Sequence, residues 1–432
     1  MLPRVLYYLH RLRRNLHLRP SELQCLQLKQ FRALVTHAYA HVPFYHRKFR
    51  AAGVRPEDIQ SFDDLRKIPV TTKFELQACA PRDLVASGVD VRSLVKRTTS
   101  GSTGVPFALF LDGGVEDFYA AVWLRAMFQD GLRVLDRMAV IADPRGFPRG
   151  RSVLQRLGLA ERRYVSIFDS AARQMALLRG FKPDVVKGYA SSLHILANEF
   201  GDVAREVGVR LVFSGAELLD AASRKRISSA FGGELFDFYG SSEFSLLAWE
   251  CKTHNGYHIN ADSVLMEFLD DAGEAVAFGE SGKTICTGLF NRVMPLIRYD
   301  LGDVAVPIDG ECACGISLPL VKIVEGRADD FLVAADGRLI SPTVFFPYPF
   351  ESVDWIKQFR VIQESRKRLV IQVAPKKAVE NQSRIIEAAE RKLHELFGDL
   401  EVRFEFMENI PLDSSGKFKK VISRINSQSR NR

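Results

Sequence analysis

The chain has 432 residues, of which 47% are hydrophobic and 26% charged, and its formal net charge is +8. That length suits one large domain with a smaller one, and the composition excludes a disordered or fibrous protein. We find no apolar run of membrane-spanning length and no secretory signal. Six cysteines in so long a chain indicate no disulfide framework, so a reducing cytoplasm is the expected location.

The positive charge is concentrated at the two ends of the chain. Residues 1–50 contain ten Lys and Arg and one acid, Glu22, and residues 331–432 contain 18 Lys and Arg and 13 Asp and Glu. Such basic segments are either solvated faces or contacts for an anionic partner. No zinc-finger, RNA-recognition or basic-zipper signature is present, so we expect no nucleic-acid binding.

The N-terminal segment predicts two helices. Residues 4–18 combine leucines at helical spacing with four arginines, which is typical of a short amphipathic helix. Leu6, Leu9, Leu12 and Leu16 either pack on the large domain, or residues 1–18 attach peripherally to the inner face of an anionic membrane. The next helix is expected to open at Pro20 and Ser21, with Gln24 completing a capping box.

Short apolar runs then alternate with helical segments. Strands are predicted at 138–142, 185–186, 211–213 and 235–238, and helices at 171–179 and 191–200. This alternation favours an α/β fold with substantial parallel sheet. Ligands gather at the carboxyl edge of such sheets, which makes 214–217 and 239–243 candidate binding segments.

The C-terminal part predicts a separate small unit. A boundary is expected at 326–330. Beyond it, 359–363 and 369–373 are typical of a hairpin, 385–397 of a helix, and 402–406 of a strand, which together make an α+β unit.

Six distinctive segments follow one another in a fixed order. They are 98–106 (TTSGSTGVP), 214–217 (SGAE), 239–243 (YGSSE), 298–303 (RYDLGD), 326–330 (GRADD) and 415–417 (SGK). The first is made of glycines and small hydroxyl residues up to Gly104, so its backbone and hydroxyls can wrap a polyanion. It is not a P-loop, which needs a Lys-Ser/Thr pair after the second glycine.

This ordered set resembles the adenylate-forming superfamily of acyl-CoA synthetases and ligases. Within the superfamily it is most similar to the phenylacetate–CoA ligase-like branch, which includes proteins associated with capsule polysaccharide biosynthesis. The resemblance extends from about residue 42 to about residue 422. It implies an α/β fold with a large N-terminal adenylate-forming domain (sheets with packed helices) at 1–328, carrying the basic helical arm 1–50. A small, mobile α+β C-terminal lid domain is implied at 329–432.

The resemblance also implies roles for individual residues. Lys417 and Glu243 are the expected catalytic residues: Lys417 neutralises charge on the α-phosphate and Glu243 holds Mg²⁺. Asp329 is the expected hinge. Tyr189 either borders the acyl pocket or packs in the core. The expected nucleotide-binding residues are Thr99, Ser100, Gly101, Ser102, Thr103, Gly104, Gly215, Ala216, Glu217, Tyr239, Gly240, Ser242, Asp303 and Arg327. Many relatives carry a lysine after the proline of the phosphate loop, whereas Phe107 stands here.

The implied activity is ATP-dependent, AMP-forming activation of a small carboxylic acid, followed by transfer to CoA or a carrier thiol. ATP, Mg²⁺ and CoA are the expected cofactors. Two alternatives stay open. One is an adenylyltransferase with no CoA step, and the other is a catalytically silent nucleotide-binding protein in capsule or envelope assembly.

A second group of residues offers metal ligands. Cys251, His258, Cys312 and Cys314 make a donor set suited to tetrahedral Zn²⁺, with His254 as an alternative ligand. The other interpretation is free thiols and a surface histidine. Resemblance to metal-bearing members of the branch favours a structural zinc site. The remaining cysteines, Cys25, Cys79 and Cys286, are expected to be buried apolar residues.

Overall fold

The structure, a computed structural model, describes residues 2–98, 108–148, 150, 155, 158–325, 332–336, 339–340, 356–375, 382–411, 419 and 421–425. It divides into two compact units, each built from two stretches of chain. The first unit is Met1–Gly131 with Phe238–Val324, and the second is Leu132–Asp237 with Glu325–Arg432. The domain boundary expected after residue 328 lies outside the described residues.

The α-helices of the described chain fall into an N-terminal group, a central group and one C-terminal helix. They are α1 (Leu2–Asn15), α2 (Pro20–His41), α3 (Pro43–Ala51), α4 (Lys73–Gln77), α5 (Pro81–Leu84), α6 (Gly113–Gln129), α7 (Ala171–Phe181), α8 (Ala190–Glu206), α9 (Ala221–Phe231) and α10 (Gln382–Phe397). None of them combines the length and apolar character needed to cross a bilayer.

The strands of the described chain range from two to ten residues in length. They are β1 (Val95–Thr98), β2 (Ala108–Leu111), β3 (Met138–Ala142), β4 (Arg162–Ser166), β5 (Val185–Tyr189), β6 (Leu211–Gly215), β7 (Glu234–Ser241), β8 (Ser245–Glu250), β9 (Tyr257–Ile259), β10 (Val264–Leu269), β11 (Gly282–Gly288), β12 (Tyr299–Ile308), β13 (Leu320–Glu325), β14 (Leu332–Val333), β15 (Leu339–Ile340), β16 (Ile356–Ser365), β17 (Arg368–Pro375), β18 (Glu401–Phe406) and β19 (Val421–Ser423).

Helix α2 begins at Pro20, as expected, but its N-terminal cap differs from the one that the sequence pattern indicates. The N–H of Arg19 donates to Glu22 Oε2 at 2.9 Å. The capping box expected from Ser21 and Gln24 is therefore wrong, because Ser21 already lies inside the helix and Glu22 bonds back to Arg19. Cys25 is exposed on the outer face of α2, contrary to the expectation of a buried cysteine.

Helix α1 buries one face on the first unit. Leu9, Leu12 and Leu16 are buried, whereas Leu6 is 55% exposed. Packing of the arm on the protein is thus observed for three of the four leucines. The fourth points outward because a helix places residues 6 and 12 about 120° apart around its axis, so Leu6 lies beyond the edge of the buried face.

A buried ion pair fastens α1 to the first unit. The guanidinium of Arg125, in α6, donates to both carboxylate oxygens of Asp262 at 2.7 and 2.8 Å. Asp262 also accepts from Asn15 Nδ2 at 2.8 Å, and Arg125 Nη1 donates to the carbonyl of Leu12 at 2.9 Å. The last turn of α1 is therefore held by charge-assisted hydrogen bonds in a water-free environment.

The residues after α1 bind a later turn of the chain. The N–H of Ser317 donates to the carbonyl of Leu16 at 2.9 Å. The hydroxyl of Ser317 lies 2.9 Å from the same carbonyl and 2.7 Å from that of Leu18. The segment between α1 and α2 is thus attached beside the turn that carries Cys312 and Cys314.

The first unit contains a largely antiparallel sheet. Its strands follow the order β10, β11, β12, β13, β9, β8 and the end of β7. Cys286 in β11 pairs with Tyr299 in β12, and Trp249 in β8 pairs with Phe238 in β7. The sheet therefore places side chains from distant parts of the segment 238–304 on neighbouring strands.

Parallel strands form the sheet of the second unit, in the order β4, β3, β5, β6 and the start of β7. Val185 in β5 pairs with Leu211 in β6, and the helices α7, α8 and α9 contribute to a shared apolar core with these strands. The predicted α/β alternation is confirmed here, with strands close to their predicted bounds. The carboxyl ends of β5 and β6 are Tyr189 and Gly215, which are register partners.

The C-terminal part is a small α+β arrangement. Strands β16 and β17 form an antiparallel hairpin, with β18 parallel to β17 and β19 parallel to β16. Helix α10 buries Ala389, Leu393 and Phe397 in the core of this arrangement. The predicted hairpin, helix and strand are all confirmed.

Candidate active site and metal centre

Two of the expected nucleotide-binding residues meet at the end of β7. The Tyr239 hydroxyl donates to Asp303 Oδ2 at 2.6 Å, although 64 residues separate them in the chain. Gly240 follows Tyr239 at a point where a Cβ atom would come within 2.5 Å of the Ser245 carbonyl oxygen. Only glycine fits there, so the turn after β7 can close tightly and hold Tyr239 in place.

Glu243 lies in the same turn and is nearly inaccessible to water, with 6% of its surface exposed. Its Oε1 atom is 3.2 Å from the Tyr299 hydroxyl, which donates to it. Its Oε2 atom is buried and has no hydrogen-bond partner among the described residues. A buried carboxylate oxygen without a partner carries a large desolvation cost, which a bound cation offsets.

Acidic groups are concentrated around this turn. Burial raises the pKa of the Cys286 thiol well above its ordinary value, and the nearby negative charges of Asp303, Glu267 and Glu243 raise it further. Arg298 forms a bidentate pair with Glu267, at 2.9 and 3.0 Å. Burial nevertheless raises the pKa of Glu267, since the Arg298 charge offsets only part of the desolvation. The unpartnered Glu243 oxygen in this acidic setting fits a hard divalent cation such as Mg²⁺.

The other expected residue of this turn is open to solvent. Ser242 is exposed, and Asp303 is half-buried, so both are accessible to a small ligand. Both lie in the first unit with Tyr239, Gly240 and Glu243.

The expected adenine segment lies in the second unit, directly after β6. Ala216 has a φ of 65°, in the left-handed region that non-glycine residues seldom adopt. Glu217 Oε2 accepts a hydrogen bond from the Ser191 N–H, in the first turn of α8, at 2.8 Å. Glu217 thus satisfies a free N–H group at the start of α8, which stabilises the turn formed with Gly215 and Ala216.

Several expected site residues lie outside the described part of the chain. They are Thr99, Ser100, Gly101, Ser102, Thr103, Gly104, Arg327, Asp329 and Lys417. Thr98 and Ala108, which flank the expected phosphate loop, are register partners in the antiparallel pair β1–β2.

The cysteines and histidine expected to bind metal are brought together. The ligand atoms of Cys251, His258, Cys312 and Cys314 all lie within 4.8 Å of one another. The Sγ atoms of Cys251 and Cys312 are 3.6 Å apart, and His258 Nε2 is 3.2 Å from Cys314 Sγ. Sulfur atoms about 3.8 Å apart are expected around tetrahedral Zn²⁺ with bonds of about 2.3 Å, so the donor set fits this ion.

Neighbouring groups orient these ligands. His258 Nδ1 lies 3.1 Å from the carbonyl of Leu318, which selects the tautomer with a free Nε2 facing the cysteines. The Thr253 hydroxyl lies 3.0 Å from Cys251 Sγ and 3.2 Å from Cys312 Sγ. His254 instead lies 3.6 Å from Glu250 and is not part of the group.

Sequence reasoning missed two features of this region. Tyr299 was not singled out, although it stands between Arg298 and Asp300 in one of the six segments. The Arg125–Asp262 pair was also missed, because nothing in the sequence links two charged residues 137 positions apart.

Comparison with known structures identifies the fold as that of the adenylate-forming ligases. A 2-hydroxyisobutyryl-CoA ligase in the postadenylation state superposes with a TM-score of 0.78, at 23% identity, covering 97% of this chain and 93% of that one. An anthranilate CoA ligase in complex with anthranoyl-AMP has a TM-score of 0.57, at 17% identity, over 78% and 67% of the two chains.

Sequence comparison then gives the family. The phenylacetate-coenzyme A ligase of Escherichia coli (strain K12) is 31% identical over 329 residues, or 72% of this chain and 73% of that protein. The enzyme of the same name from Thermus thermophilus is 30% identical over 324 residues, or 72% of each chain. The chain therefore belongs to the phenylacetate–CoA ligase family, and it is an AMP-forming acid–thiol ligase.

The C-terminal part has a further relationship. Residues 332–424 match a family model described as the CapK C-terminal domain. Protein CapK of Staphylococcus aureus is 27% identical over 254 residues, or 57% of this chain and 54% of that protein.

Proposed function

We propose that this protein uses ATP to convert a carboxylic acid into an acyl-adenylate and then transfers the acyl group to CoA. In the first step a carboxylate oxygen bonds to the α-phosphorus of ATP, the bond to the bridging oxygen breaks, and pyrophosphate leaves. In the second step the CoA thiolate bonds to the acyl carbon and AMP leaves, while the thiol proton passes to solvent. The observation that carries the proposal is Glu243, whose buried Oε2 atom has no partner among the described residues and suits a metal–nucleotide complex.

We assign the ribose and adenine to residues whose geometry suits them. One oxygen of Asp303 accepts from Tyr239, and we propose that this carboxylate also accepts hydrogen bonds from ribose hydroxyls. Gly215, Ala216 and Glu217 line the adenine, since their turn is fixed by the bond from Ser191 to Glu217. Strained backbone such as that at Ala216 is concentrated at ligand sites.

The remaining roles follow from the order of the six segments. Thr99, Ser100, Gly101, Ser102, Thr103 and Gly104 bind the β- and γ-phosphates together with Ser242, and Arg327 faces the nucleotide. Lys417 neutralises charge that develops on the α-phosphate as the carboxylate attacks. Asp329 is the hinge between a domain at 1–328 and a domain at 329–432.

Two metal ions belong to the proposal. Glu243 holds Mg²⁺, which shields the charge of the triphosphate. Cys251, His258, Cys312 and Cys314 hold Zn²⁺ with no coordination position left open, so this ion stabilises the fold and takes no part in the chemistry.

The CapK similarity favours a second candidate function within the same fold. In that case this ligase acts in capsule or envelope assembly. The match at residues 332–424 is the observation that supports it.

We also propose that the basic arm attaches the enzyme peripherally to anionic membranes. Because Leu9, Leu12 and Leu16 are buried, lipid contact is left to the outer face of α1, where Leu6 and the exposed arginines of the last turn lie. Co-sedimentation with anionic vesicles should then require residues 1–18 and weaken with salt. Equal sedimentation of a chain that lacks residues 1–18 would exclude a role for the arm in lipid binding.

ATP–pyrophosphate exchange with a library of carboxylic acids tests the proposed activity. We expect exchange with one chemical class of acid, and CoA-dependent thioester formation with the same acid. Exchange without any thioester would favour the adenylyltransferase, and no exchange with any acid would contradict acid activation altogether.

A further inference from the structure

We propose that Tyr299 is a positioning residue that aims the Glu243 carboxylate at the divalent cation of the metal–ATP complex. The inference rests on the proposed function, because it takes Glu243 as the metal ligand. Its structural basis is the asymmetry of Glu243: Oε1 accepts from the Tyr299 hydroxyl at 3.2 Å, and Oε2 has no partner among the described residues.

Tyr299 is well suited to hold another side chain still. It is 2% exposed and lies at the start of β12, where it is the register partner of Cys286 in β11. On its other side it forms a parallel bridge with Thr71. The N–H of Thr71 donates to the Arg298 carbonyl at 2.7 Å, and the Asp300 N–H donates to the Thr71 carbonyl at 2.9 Å. The backbone carrying the hydroxyl is therefore fixed from both edges.

The ring of Tyr299 is confined as well. Its centroid lies 5.9 Å from that of Phe244, the residue next to Glu243, with the planes tilted by 58°. A tyrosine has only two side-chain torsions, and both are restricted here by packing. The hydroxyl is accordingly held in a position from which it donates to Glu243 Oε1.

Fixing one oxygen changes what the other can do. A free glutamate samples several rotamers, and ordering it on a metal costs conformational entropy. A carboxylate already tied at Oε1 has lost that freedom before the metal arrives, so Oε2 is left as the preorganised ligand atom. Groups that orient a metal ligand in this way typically contribute 10–100-fold to metal affinity.

The test measures metal binding directly, so it does not depend on knowing the acid. Mn²⁺ replaces Mg²⁺, and a non-hydrolysable ATP analogue with a methylene between the α- and β-phosphorus replaces ATP. Electron paramagnetic resonance of free Mn²⁺ then gives its dissociation constant from the protein–analogue complex. We expect Tyr299→Phe to raise that constant about 10-fold, with no change in metal-free binding of the analogue.

Tyr45→Phe is the matched control. Tyr45 is also fully buried, and its hydroxyl accepts from the Ile297 N–H at 2.8 Å, two residues before Tyr299. Removing this hydroxyl costs a buried hydrogen bond in the same region but leaves Glu243 untouched. We expect it to lower the melting temperature and to leave the Mn²⁺ dissociation constant within about twofold, which separates positioning from general destabilisation.

A double-mutant cycle separates this inference from the proposed function. Glu243→Gln should weaken Mn²⁺ binding on the order of 100-fold, and adding Tyr299→Phe to it should cause no further loss. If Glu243→Gln has no effect, Glu243 is not the metal ligand and the proposed function loses its metal site. If Glu243→Gln acts but Tyr299→Phe does not, or acts equally in the Glu243→Gln background, only the positioning role is overturned.

A second measurement leaves the side chain in place. With 3-fluorotyrosine introduced at position 299, the ¹⁹F resonance should shift when Mg²⁺ joins the analogue complex, because the hydrogen bond from the phenol responds to charge on Glu243. A resonance that stays unchanged through Mg²⁺ saturation would overturn the inference even if Tyr299→Phe failed to fold.

Discussion

Replacing Asp262 with asparagine should strongly destabilise the first unit. Asp262 is the counter-ion of Arg125, and the side chains of both residues are 0% exposed. The carboxylate accepts three hydrogen bonds, two from Arg125 and one from Asn15. Asparagine keeps the shape but offers one acceptor oxygen and no charge, so the guanidinium stays buried without a counter-ion.

The expected cost follows from that geometry. Removing one partner of a buried, hydrogen-bonded ion pair typically costs about 3–5 kcal/mol. The Arg125 guanidinium lies 5.4 Å from the ring of Trp249, and this cation–π contact is too weak to replace the lost charge. With a urea m-value of about 3 kcal/mol/M, the unfolding midpoint should fall by roughly 1–1.7 M.

Tryptophan fluorescence during urea unfolding measures this change, because Trp123 and Trp249 both lie in the first unit. Asp271→Asn is the control: Asp271 pairs with Lys283 at 2.6 Å but is 95% exposed, so its loss should leave the midpoint unchanged. A midpoint shift no larger for Asp262→Asn than for Asp271→Asn would refute the reasoning. Replacing both members of the pair, with Arg125→Met and Asp262→Leu, should restore much of the lost stability, since no charge is then buried alone.

The other predictions concern metal content, catalysis and pH. Protein purified without added metal should contain about one zinc per chain by elemental analysis. The double variant Cys312→Ser, Cys314→Ser should contain no zinc and should have a lower melting temperature. Zinc retained in this variant would reject the site. Lys417→Ala should slow pyrophosphate exchange on the order of 100-fold or more without changing the melting temperature, and unaltered exchange would reject its role. Burial, with a contribution from Arg162, lowers the pKa of Lys187 to about 7 from a reference value of 10.5. The unfolded chain therefore binds one more proton than the native chain between these values, so stability should rise with pH across this range. In Lys187→Met the rise in the free energy of unfolding should be smaller by about 1.4 kcal/mol per pH unit. An identical slope in both proteins would contradict the lowered pKa of Lys187.

The strands and helices of the second unit were predictable because their signal is local. The apolar runs before Ser214 and within β7 are bounded by polar turns, and the helices between them repeat apolar residues every three to four positions. The C-terminal hairpin was equally clear, since alternating apolar residues flank a polar turn at 366–367. The caps at helix starts were harder to predict. Glu22, three residues after Arg19, caps the N-terminus of α2 in place of the expected Ser21 and Gln24.

The contacts within the site were predictable only in part. That Cys251, His258, Cys312 and Cys314 lie together was predictable because few residue types bind zinc, so their chemistry restricts the choice even without spacing. The pairing of Tyr239 with Asp303, and of Tyr299 with Glu243, depends on strand register across the sheet. Register is set by long-range packing, which leaves no trace in the local composition around any of these four residues.

The attachment of Leu16 and Leu18 to Ser317 has a consequence for the order in which the protein folds during translation. These partners are separated by about 300 residues, so the arm is synthesised long before the turn that receives it. At about 5–20 residues per second, the ribosome needs roughly 15–60 s to make that intervening chain. Throughout this interval the hydrogen bonds from Ser317 to Leu16 and Leu18 are missing, although α6, whose Arg125 binds the Leu12 carbonyl, is synthesised much earlier. The attachment of the segment after α1 is thus completed only once the chain has been synthesised through the cysteine-bearing turn.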